Sequence, residues 1–399
     1  MFATRALKGA ACAVVLTATA FLVSPPADAA APVLTDADHV FILPGASPDA
    51  WAPRILGRID PWSTTNPRVR RIDENYYSCG STSSSCDLRV IAYPRTAGPV
   101  FGPNVPYADE SIETGVNMTK EAIDPPSMPI IDGQIVVAGL SLGSITADAV
   151  QRSLDADPIR PPSDQVTFIV SGDPSRVTPF STGIGSFLPE GFRIPLLGWT
   201  VTRPEANSNY DTVVVVGEYD VTADFPDRPW NVLALVNSLF GFQSSHGPSA
   251  LSSPTEVPEE NIRETENDKG ATTTTYLVPQ PTLPMLRPFS RVAPRVVNAA
   301  NNILKPIVDR GYSRYDAQNG NQMPYLQPTD GLPRLVKPAK ATDSFKAIPN
   351  ASALPRLQRS TNRLHQLRNL TRSLLPGRDR KGIAERDVSS TIEPPAASE

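Results

Sequence analysis

Residues 134–145 read QIVVAGLSLGSI, an apolar run that continues through a serine between two glycines and then into a helical pattern. An apolar run without polar alternation is typical of a strand buried on both faces. The spacing of Gly139, Ser141 and Gly143 is that of a nucleophile elbow, in which a serine is raised above the sheet on a tight turn. Glycines are needed because the chain nearly touches itself there, and the following helix directs its amides at the site. The stretch predicts Ser141 as a nucleophile, with a structural glycine turn as the alternative.

Short β-rich runs alternate with helical patterns on both sides of this stretch. The predicted strands are Val40–Leu43, Leu88–Tyr93, Gln134–Ala138, Val166–Val170, Thr212–Val216 and Thr272–Val278, and the predicted helices are Glu110–Ile123, Ser144–Leu154 and Trp230–Phe240. The alternation predicts an α/β-hydrolase fold over residues 36–290, with a mostly parallel central sheet flanked by helices. The 43 prolines among 399 residues exclude a long coiled coil or a helical solenoid, and the 40% of hydrophobic residues excludes disorder throughout.

A serine hydroxyl needs a base to accept its proton, and the chain has only three histidines. In this fold the acid and then the histidine follow the serine along the chain. His39 precedes Ser141, and His365 lies beyond every predicted strand. His246, in the loop 243–247, is therefore the predicted base.

The acid that orients the histidine is expected in a loop at the carboxyl end of a late strand. The loop after Thr212–Val216 offers three aspartates. Asp220 is closest to the strand end and is the preferred candidate. Asp224 is the main alternative, and Asp227 is the third candidate. Asp173 follows the preceding strand and is expected to brace its own turn through local hydrogen bonds.

Attack on a carbonyl forms an oxyanion, which needs backbone N–H donors. The amide of Leu142, directly after the serine, is one expected donor. The other is expected from the loop 44–47 after the first strand, where Gly45 and Ala46 are the candidates. No cofactor and no metal is expected.

The N-terminus has the three parts of a secretory signal, predicted over residues 1–29. Arg5 and Lys8 precede an apolar run, Ala10–Val23, and small residues then lead to Ala29. The run is shorter than the about 20 residues that span a membrane. We therefore expect export with cleavage near Ala29, with an uncleaved anchor as the alternative.

Two cysteines remain after such a cleavage, Cys79 and Cys86, on either side of a short polar loop. In an oxidising compartment this pair predicts a disulfide, with two free thiols as the alternative. A metal site is disfavoured because no histidine is near the two sulfurs.

The net charge of −4 conceals an acidic body and a basic tail. Residues 1–333 contain 24 Lys and Arg against 35 Asp and Glu, whereas residues 334–386 contain 13 against three. Residues 291–333 are interpreted as an irregular or helical extension, with one helix that Pro306 interrupts and no strand beyond about residue 280. Residues 334–399 are either a solvated, partly disordered tail or a segment that approaches an anionic or glycolipid surface. A nucleic-acid partner is not expected.

Several segments, taken in order, carry a family resemblance. They are residues 41–45, the elbow at Ser141, and residues 168–174, 218–220, 223–226, 231, 237–241, 246–247, 275–278 and 283–286. They resemble the PE-PPE C-terminal domain, an α/β serine-hydrolase family of mycolic-acid-bearing actinobacteria that is distantly similar to cutinases. The resemblance covers roughly residues 39–290 and implies Ser141, Asp220 and His246 as nucleophile, acid and base. Members with a secretion signal in place of a helical PE or PPE module resemble cell-envelope acyltransferases that move fatty acyl groups between trehalose glycolipids.

Together these features predict an exported serine enzyme of the cell envelope that acts on acyl esters of lipids or glycolipids. Esterase and acyltransferase share one acyl-enzyme intermediate, so the motif leaves both open. The apolar side chains between Phe187 and Trp199 are interpreted either as a lid or acyl-chain wall or as plain packing. The alternative function is a non-catalytic envelope protein that binds glycolipid or wall polymer through its basic tail.

Overall fold

The computed structural model describes residues 35–47, 66–79, 86–125, 130–320, 323–328 and 334–336. The predicted secretory signal and all of the basic tail beyond Val336 lie outside these residues. Both therefore stay predictions.

A seven-stranded sheet forms the centre of the fold. The described strands are β1 (Thr35–Ala37), β2 (His39–Leu43), β3 (Tyr77–Cys79), β4 (Asp87–Val90), β5 (Ile135–Leu140), β6 (Val166–Ser171), β7 (Arg193–Ile194), β8 (Trp199–Thr200), β9 (Asp211–Gly217), β10 (Ile262–Glu266), β11 (Thr272–Val278), β12 (Tyr325–Gln327) and β13 (Arg334–Val336). The central sheet has the order β10-β11-β9-β6-β5-β2-β4. Its neighbours are parallel except β10, which pairs antiparallel with β11 at one edge. This is the mostly parallel sheet that the apolar runs predicted.

All six predicted strands are in the central sheet, and the sequence pattern missed the seventh. β10 reads Ile-Arg-Glu-Thr-Glu and none of its residues is buried, because it forms an edge of the sheet. The expectation that no strand follows residue 280 is wrong. β12 and β13 pair with each other, and each has only three residues, too few for a recognisable pattern.

The strands of the central sheet are buried on both faces because their apolar residues alternate between two cores. Val137, Phe168 and Val214 pack on one face, and Val136 and Ile169 pack on the other. A strand between two apolar layers has no solvent side, which explains the continuous apolar runs in the sequence.

Helices and a wide helical turn cover the sheet. The described helices are α1 (Ala108–Ile123), α2 (Leu142–Ala156), α3 (Val232–Gly241), α4 (Gly247–Ser249), α5 (Pro294–Asp309) and α6 (Asp316–Asn319), and a π-helical turn, Phe242–His246, joins α3 to α4. The three helices predicted from the sequence correspond to α1, α2 and α3. Ile123 of α1 and Ile145, Val150 and Leu154 of α2 belong to the same core as Phe168.

The prediction that Pro306 interrupts the C-terminal helix is wrong. α5 runs through Pro306 to Asp309. Proline removes one backbone donor and crowds the preceding turn, and here it lies only three residues before the helix ends. Most of the helix therefore keeps its backbone hydrogen bonds.

The residues after 290 are tied to the loop that follows β9. Arg228 is fully buried and pairs with Asp316 at 2.8 Å. The hydroxyl of Tyr219 donates to Asp309 at 2.5 Å. This part of the predicted extension is thus packed against the segment that carries the predicted acid.

The apolar segment between Phe187 and Trp199 is divided between packing and exposure. Phe187 and Trp199 are buried, and Trp199 belongs to the main core. Phe192 and Leu196 are exposed. Plain packing, one of the two interpretations, therefore describes the buried members.

Cys79 ends β3, and Cys86 directly precedes β4. The loop between them and the side chain of Cys79 lie outside the described residues. The predicted disulfide stays a prediction.

Candidate active site

Ser141 lies on the tight turn between β5 and α2. Its φ of 58° and ψ of −117° belong to a region that residues with a side chain rarely adopt. A β-carbon on Gly139 would lie 2.3 Å from the carbonyl oxygen of Gly143, and one on Gly143 would lie 1.9 Å from that of Leu43. Both distances are far below van der Waals contact, so only glycine fits at the two positions. Ser141 as a whole residue is half-buried, at the carboxyl edge of the sheet.

Asp220 and His246 form a buried pair at the end of β9. His246 Nδ1 lies 2.6 Å from Asp220 Oδ2, and both side chains are almost completely buried. The N–H and the hydroxyl of Thr222 both donate to the other carboxylate oxygen, at 3.0 and 2.8 Å. Thr222 Oγ1 also lies 2.7 Å from His246 Nδ1. The carboxylate therefore has partners on both oxygens. It holds the imidazole with the Nδ1 edge facing the carboxylate.

The ring of His246 lies over Gly172, at the carboxyl end of β6. A β-carbon on Gly172 would lie 2.7 Å from Cε1 of the ring, the carbon between the two nitrogens. Gly172 directly follows Ser171, whose carbonyl accepts the N–H of Ser141 at 2.9 Å. The imidazole and the serine turn thus adjoin at one edge of the sheet.

The second ring nitrogen, Nε2, is buried and has no hydrogen-bond partner among the described residues. Ser141 is therefore not hydrogen-bonded to this nitrogen. Hydrogen bonds between a nucleophile and its base are often long before a substrate tightens them.

The π-helical turn positions His246. A β-carbon on Gly241 would lie 1.9 Å from the carbonyl oxygen of Tyr219, so the end of α3 packs directly on the turn after β9. The hydroxyl of Ser245 donates to the carbonyl of Glu218 at 2.6 Å. Phe242 stacks on the imidazole, with a centroid distance of 5.0 Å and an interplanar angle of 17°. The extra residue of a π-turn is often found at functional sites.

The loop after β2 lies beside the serine. A β-carbon on Gly45 would lie 3.3 Å from Cβ of Ser141. The hydroxyl of Tyr93 donates to the carbonyl of Pro44 at 2.6 Å, and the guanidinium of Arg95 donates to that of Gly45 at 3.5 Å. Because a trans peptide directs its N–H opposite to its carbonyl, the N–H groups of Gly45 and Ala46 point away from these two side chains.

Leu142, whose N–H is the other predicted donor, is the first residue of α2. A helix N-terminus presents unpaired N–H groups and favours negative charge. Gly45 and Leu142 thus adjoin Ser141, and Ala46 follows Gly45 in the same loop.

Asp224, the alternative acid, is paired with Arg314 and not with the histidine. Arg314 donates to its two oxygens at 2.5 and 2.9 Å, and the N–H of Tyr219 donates at 2.7 Å. Burial raises the pKa of Asp224 to about 6 despite the guanidinium beside it. The structure therefore brings Asp220, and not Asp224, to the histidine.

The remaining candidates have other hydrogen-bond partners or lie outside the described residues. Asp227 accepts from the N–H of Ser313 at 3.0 Å. Asp173 accepts from the N–H of Ser175 at 2.8 Å, and so braces its own turn. His39 lies in β2, 3.2 Å from the carbonyl of Asp132. His365 is outside the described residues.

Sequence reasoning missed three side chains of this region. Thr222 holds the carboxylate of Asp220, and the Asp-x-Thr pattern of a local turn was the available signal. Phe242 stacks on the histidine, and nothing in the local pattern indicates that contact. Arg95 is buried beneath the loop after β2, where burial lowers the pKa of its guanidinium to about 10.

A further buried carboxyl, Asp73, lies behind the serine turn. It accepts from the hydroxyl of Ser171 at 2.7 Å, and its N–H donates to the carbonyl of Ala250 at 2.7 Å. It therefore links β6, which supports Ser141, to the segment just after His246. Complete burial raises the pKa of Asp73 to about 8, so the carboxyl is largely protonated in the folded protein at neutral pH.

The described residues contain no group of three His, Cys, Asp or Glu side chains suited to a metal ion. Within the same ranges, no helix combines the length and the apolar character that crossing a membrane requires.

A parallel sheet with a serine on a strand-to-helix turn, beside a buried Asp–His pair, defines a fold of the α/β-hydrolase type. The PE-PPE domain matches residues 85–313, more than half of the chain. The chain belongs to the PE-PPE domain family, in agreement with the resemblance of its motifs.

Relatives from Mycobacterium tuberculosis define the class of enzyme. The chain is 35% identical over 308 residues to SL1278 acyltransferase Chp1, covering 76% of this chain and 71% of that protein. It is 35% identical over 243 residues to diacyltrehalose acyltransferase Chp2, covering 60% and 66%. It is 30% identical over 216 residues to esterase PE16, covering 53% and 39%. The protein is accordingly an enzyme, a hydrolase or an acyltransferase.

We predict that Asp73→Asn changes how stability depends on pH. Between about pH 4 and 8 the folded protein keeps a proton on Asp73 that the unfolded chain has released, so the free energy of unfolding falls as pH rises. Asparagine does not titrate, so the free energy of unfolding of the variant does not fall with pH for this reason. Its side-chain oxygen still accepts from the hydroxyl of Ser171. The stability of the variant relative to wild type should rise from pH 5 to pH 8, by up to about 1.4 kcal/mol per pH unit.

Urea unfolding at three pH values measures this difference. Glu113→Gln, which removes an exposed carboxyl of α1, is the control and should follow the wild-type profile. Parallel profiles for Asp73→Asn and wild type would contradict the prediction.

Proposed function

We propose that the protein transfers acyl groups from lipid or glycolipid esters to a hydroxyl acceptor through an acyl-enzyme on Ser141. One observation carries this proposal, the buried Asp220–His246 pair, 2.6 Å apart, at the edge of the sheet where the serine turn lies. The loop after β2 and the start of α2 provide backbone N–H groups beside the same serine.

In the first half of the proposed reaction, Ser141 Oγ attacks the ester carbonyl and gives its proton to His246 Nε2. Asp220 stabilises the imidazolium that forms, and Thr222 keeps the carboxylate in place. The N–H groups of Leu142 and of Gly45 or Ala46 bind the oxyanion of the tetrahedral intermediate. The intermediate collapses to the acyl-enzyme as His246 returns the proton to the departing alcohol.

In the second half, an acceptor hydroxyl gives its proton to His246 and attacks the acyl-enzyme. Collapse of the second intermediate returns the proton to Ser141 and releases the new ester. Water in the same position gives a free fatty acid, so the acceptor distinguishes acyltransferase from esterase. We favour a sugar hydroxyl because the two acyltransferases Chp1 and Chp2 are more similar to this chain than the esterase PE16 is.

We also propose that the protein works outside the cytoplasm, in the cell envelope. The charged start, apolar run and small residues of positions 1–29 support export with cleavage near Ala29. A disulfide between Cys79 and Cys86 fits an oxidising compartment.

A fluorophosphonate probe tests the nucleophile. It should label the folded wild-type protein, and Ser141→Ala should abolish labelling and lower ester hydrolysis by about 10⁴-fold or more. Absence of labelling on folded wild-type protein would contradict a serine enzyme and favour a non-catalytic binding protein. Ester hydrolysis by His246→Ala at the wild-type rate would remove that histidine from the mechanism.

Asp220→Asn and Asp224→Asn form a matched pair that tests the acid. Asp220→Asn should lower kcat by about 10²- to 10⁴-fold with little change in melting temperature, because the histidine loses its charged partner. Asp224→Asn leaves Arg314 without its buried counter-charge, so it should lower stability by about 3–5 kcal/mol, with kcat of the folded fraction within tenfold of wild type. Equal losses of kcat in the two folded variants would contradict the assignment.

Product analysis tests the acceptor. With an acyl trehalose donor, added free trehalose should divert the acyl group into newly acylated trehalose, and its omission should leave free fatty acid as the product. Release of fatty acid alone at every concentration of trehalose would identify an esterase.

A further inference from the structure

Helix α3 buries small and polar side chains and exposes large apolar ones, which is the reverse of an ordinary surface helix. Its buried residues are small or polar, namely Ala234, Asn237, Ser238 and Gly241. Four of its six large apolar residues, Val232, Val236, Leu239 and Phe240, are exposed, although surface helices normally bury such a stripe. The other two, Leu233 and Leu235, are half-buried at the flanks of this stripe. At 100° per residue the four fall within an arc of about 100°, which is one continuous face.

The inverted packing is held by specific contacts. Asn237 Oδ1 accepts from the N–H of Met285 at 3.2 Å, and the cap Asn231 accepts from the N–H of Ala234 at 3.1 Å. Gly241 packs directly on the carbonyl of Tyr219. The buried polar side chains leave the helix no way to rotate its apolar face inward without losing these partners.

The exposed apolar side chains continue from α3 to the catalytic histidine. We define the apolar face as Trp230, Val232, Val236, Leu239, Phe240 and Phe242, each between 39% and 66% exposed. Phe242 belongs to this face and also stacks on His246. The apolar face is therefore contiguous with the proposed site.

A second exposed apolar row lies on the neighbouring helix α5. Val296, Ile303 and Ile307 are exposed there. The two helices adjoin, because the side-chain amide of Asn231 donates to the carbonyl of Ile307 at 2.7 Å. A patch this extended on a soluble protein commonly marks an interaction surface.

The charge around the apolar face is opposite to that of the rest of the body. Residues 228–251 and 279–308 carry α3 and all of α5 except its last residue, the buried Asp309. They contain no Asp or Glu, whereas residues 1–333 as a whole are acidic. Arg287, Arg291 and Arg295 are exposed. Arg287 donates to the carbonyl of Ser244 at 2.8 Å, which places a cation beside the π-turn between Phe242 and His246.

We propose that the apolar face docks on an anionic lipid surface and brings the active site to acyl lipids held there. Apolar side chains that enter the acyl region, flanked by arginines at the head groups, are the features that hold a helix in a membrane interface. A second copy of the chain fits less well, since a symmetric contact would bring the same arginines together. The inference rests on the proposed function only for the identity of the substrate.

Vesicle partitioning of the full chain tests this surface. In a Ser141→Ala background, which prevents turnover, the protein should bind vesicles of 30% phosphatidylglycerol in phosphatidylcholine at physiological salt, and should bind pure phosphatidylcholine more weakly. Val232→Glu with Leu239→Glu should lower the partition coefficient by tenfold or more. Both positions are more than half exposed, so these substitutions leave the core intact.

The matched control is Val100→Glu with Ile159→Glu, which adds the same charge at exposed apolar positions outside the two segments. It should bind within twofold of the parent. With Ser141 restored, both double variants should hydrolyse a soluble short-chain ester within twofold of wild type, which reports correct folding. If wild type fails to hydrolyse that ester while vesicle binding follows the expected pattern, the proposed function is contradicted and the docking surface stands.

Three outcomes overturn the docking surface. One is unchanged partitioning of the Val232→Glu, Leu239→Glu protein, which would assign vesicle binding to another segment such as the basic tail. Another is an equal fall of the partition coefficient in the control variant, which would show that added negative charge alone lowers vesicle binding. In the third, wild type is a dimer in sedimentation velocity and binds no vesicles, and Val232→Glu with Leu239→Glu converts it to a monomer. That result would assign the apolar face to contact with a second copy of the chain.

Discussion

The strand-to-helix turn at Ser141 is possible only because two backbone segments touch with no side chain between them. The α-carbon of Gly143 approaches the carbonyl of Leu43 so closely that a single methyl group would overlap the oxygen. This contact joins the end of β2 to the start of α2. The loop that follows Leu43 and the serine that precedes the helix are consequently held side by side, which is the arrangement an oxyanion site requires.

The turn after β9 separates two carboxylates that lie four residues apart. Asp220 faces His246, and Asp224 faces Arg314, so each buried acid has its own cationic or protonatable partner. An unpaired buried carboxylate is costly. The packing of residues 294–316 against this turn therefore stabilises the segment on which the histidine depends.

Much of the fold could be read from the sequence because strands buried on both faces leave continuous apolar runs. The edge strand β10 was missed since it has a solvent side and a polar sequence. Closeness to the strand end already favoured Asp220 over Asp224. The partner of Asp224 could not be found from local pattern, because Arg314 lies 90 residues away from it along the chain. The helix α3 was predicted, but its orientation was not, since hydrophobic pattern alone would turn its large apolar stripe towards the core. The catalytic roles of Ser141, Asp220 and His246 remain predictions that the geometry supports.

The ion pair of Asp224 with Arg314 sets a practical limit on how the protein can be divided. The PE-PPE match ends at residue 313, one position before the guanidinium that neutralises Asp224, and it begins after β2. A fragment trimmed to those borders would lack both the strand beside the elbow and the arginine beside the acid turn. We therefore expect the smallest unit that folds by itself to be wider than the family match and to include both flanks.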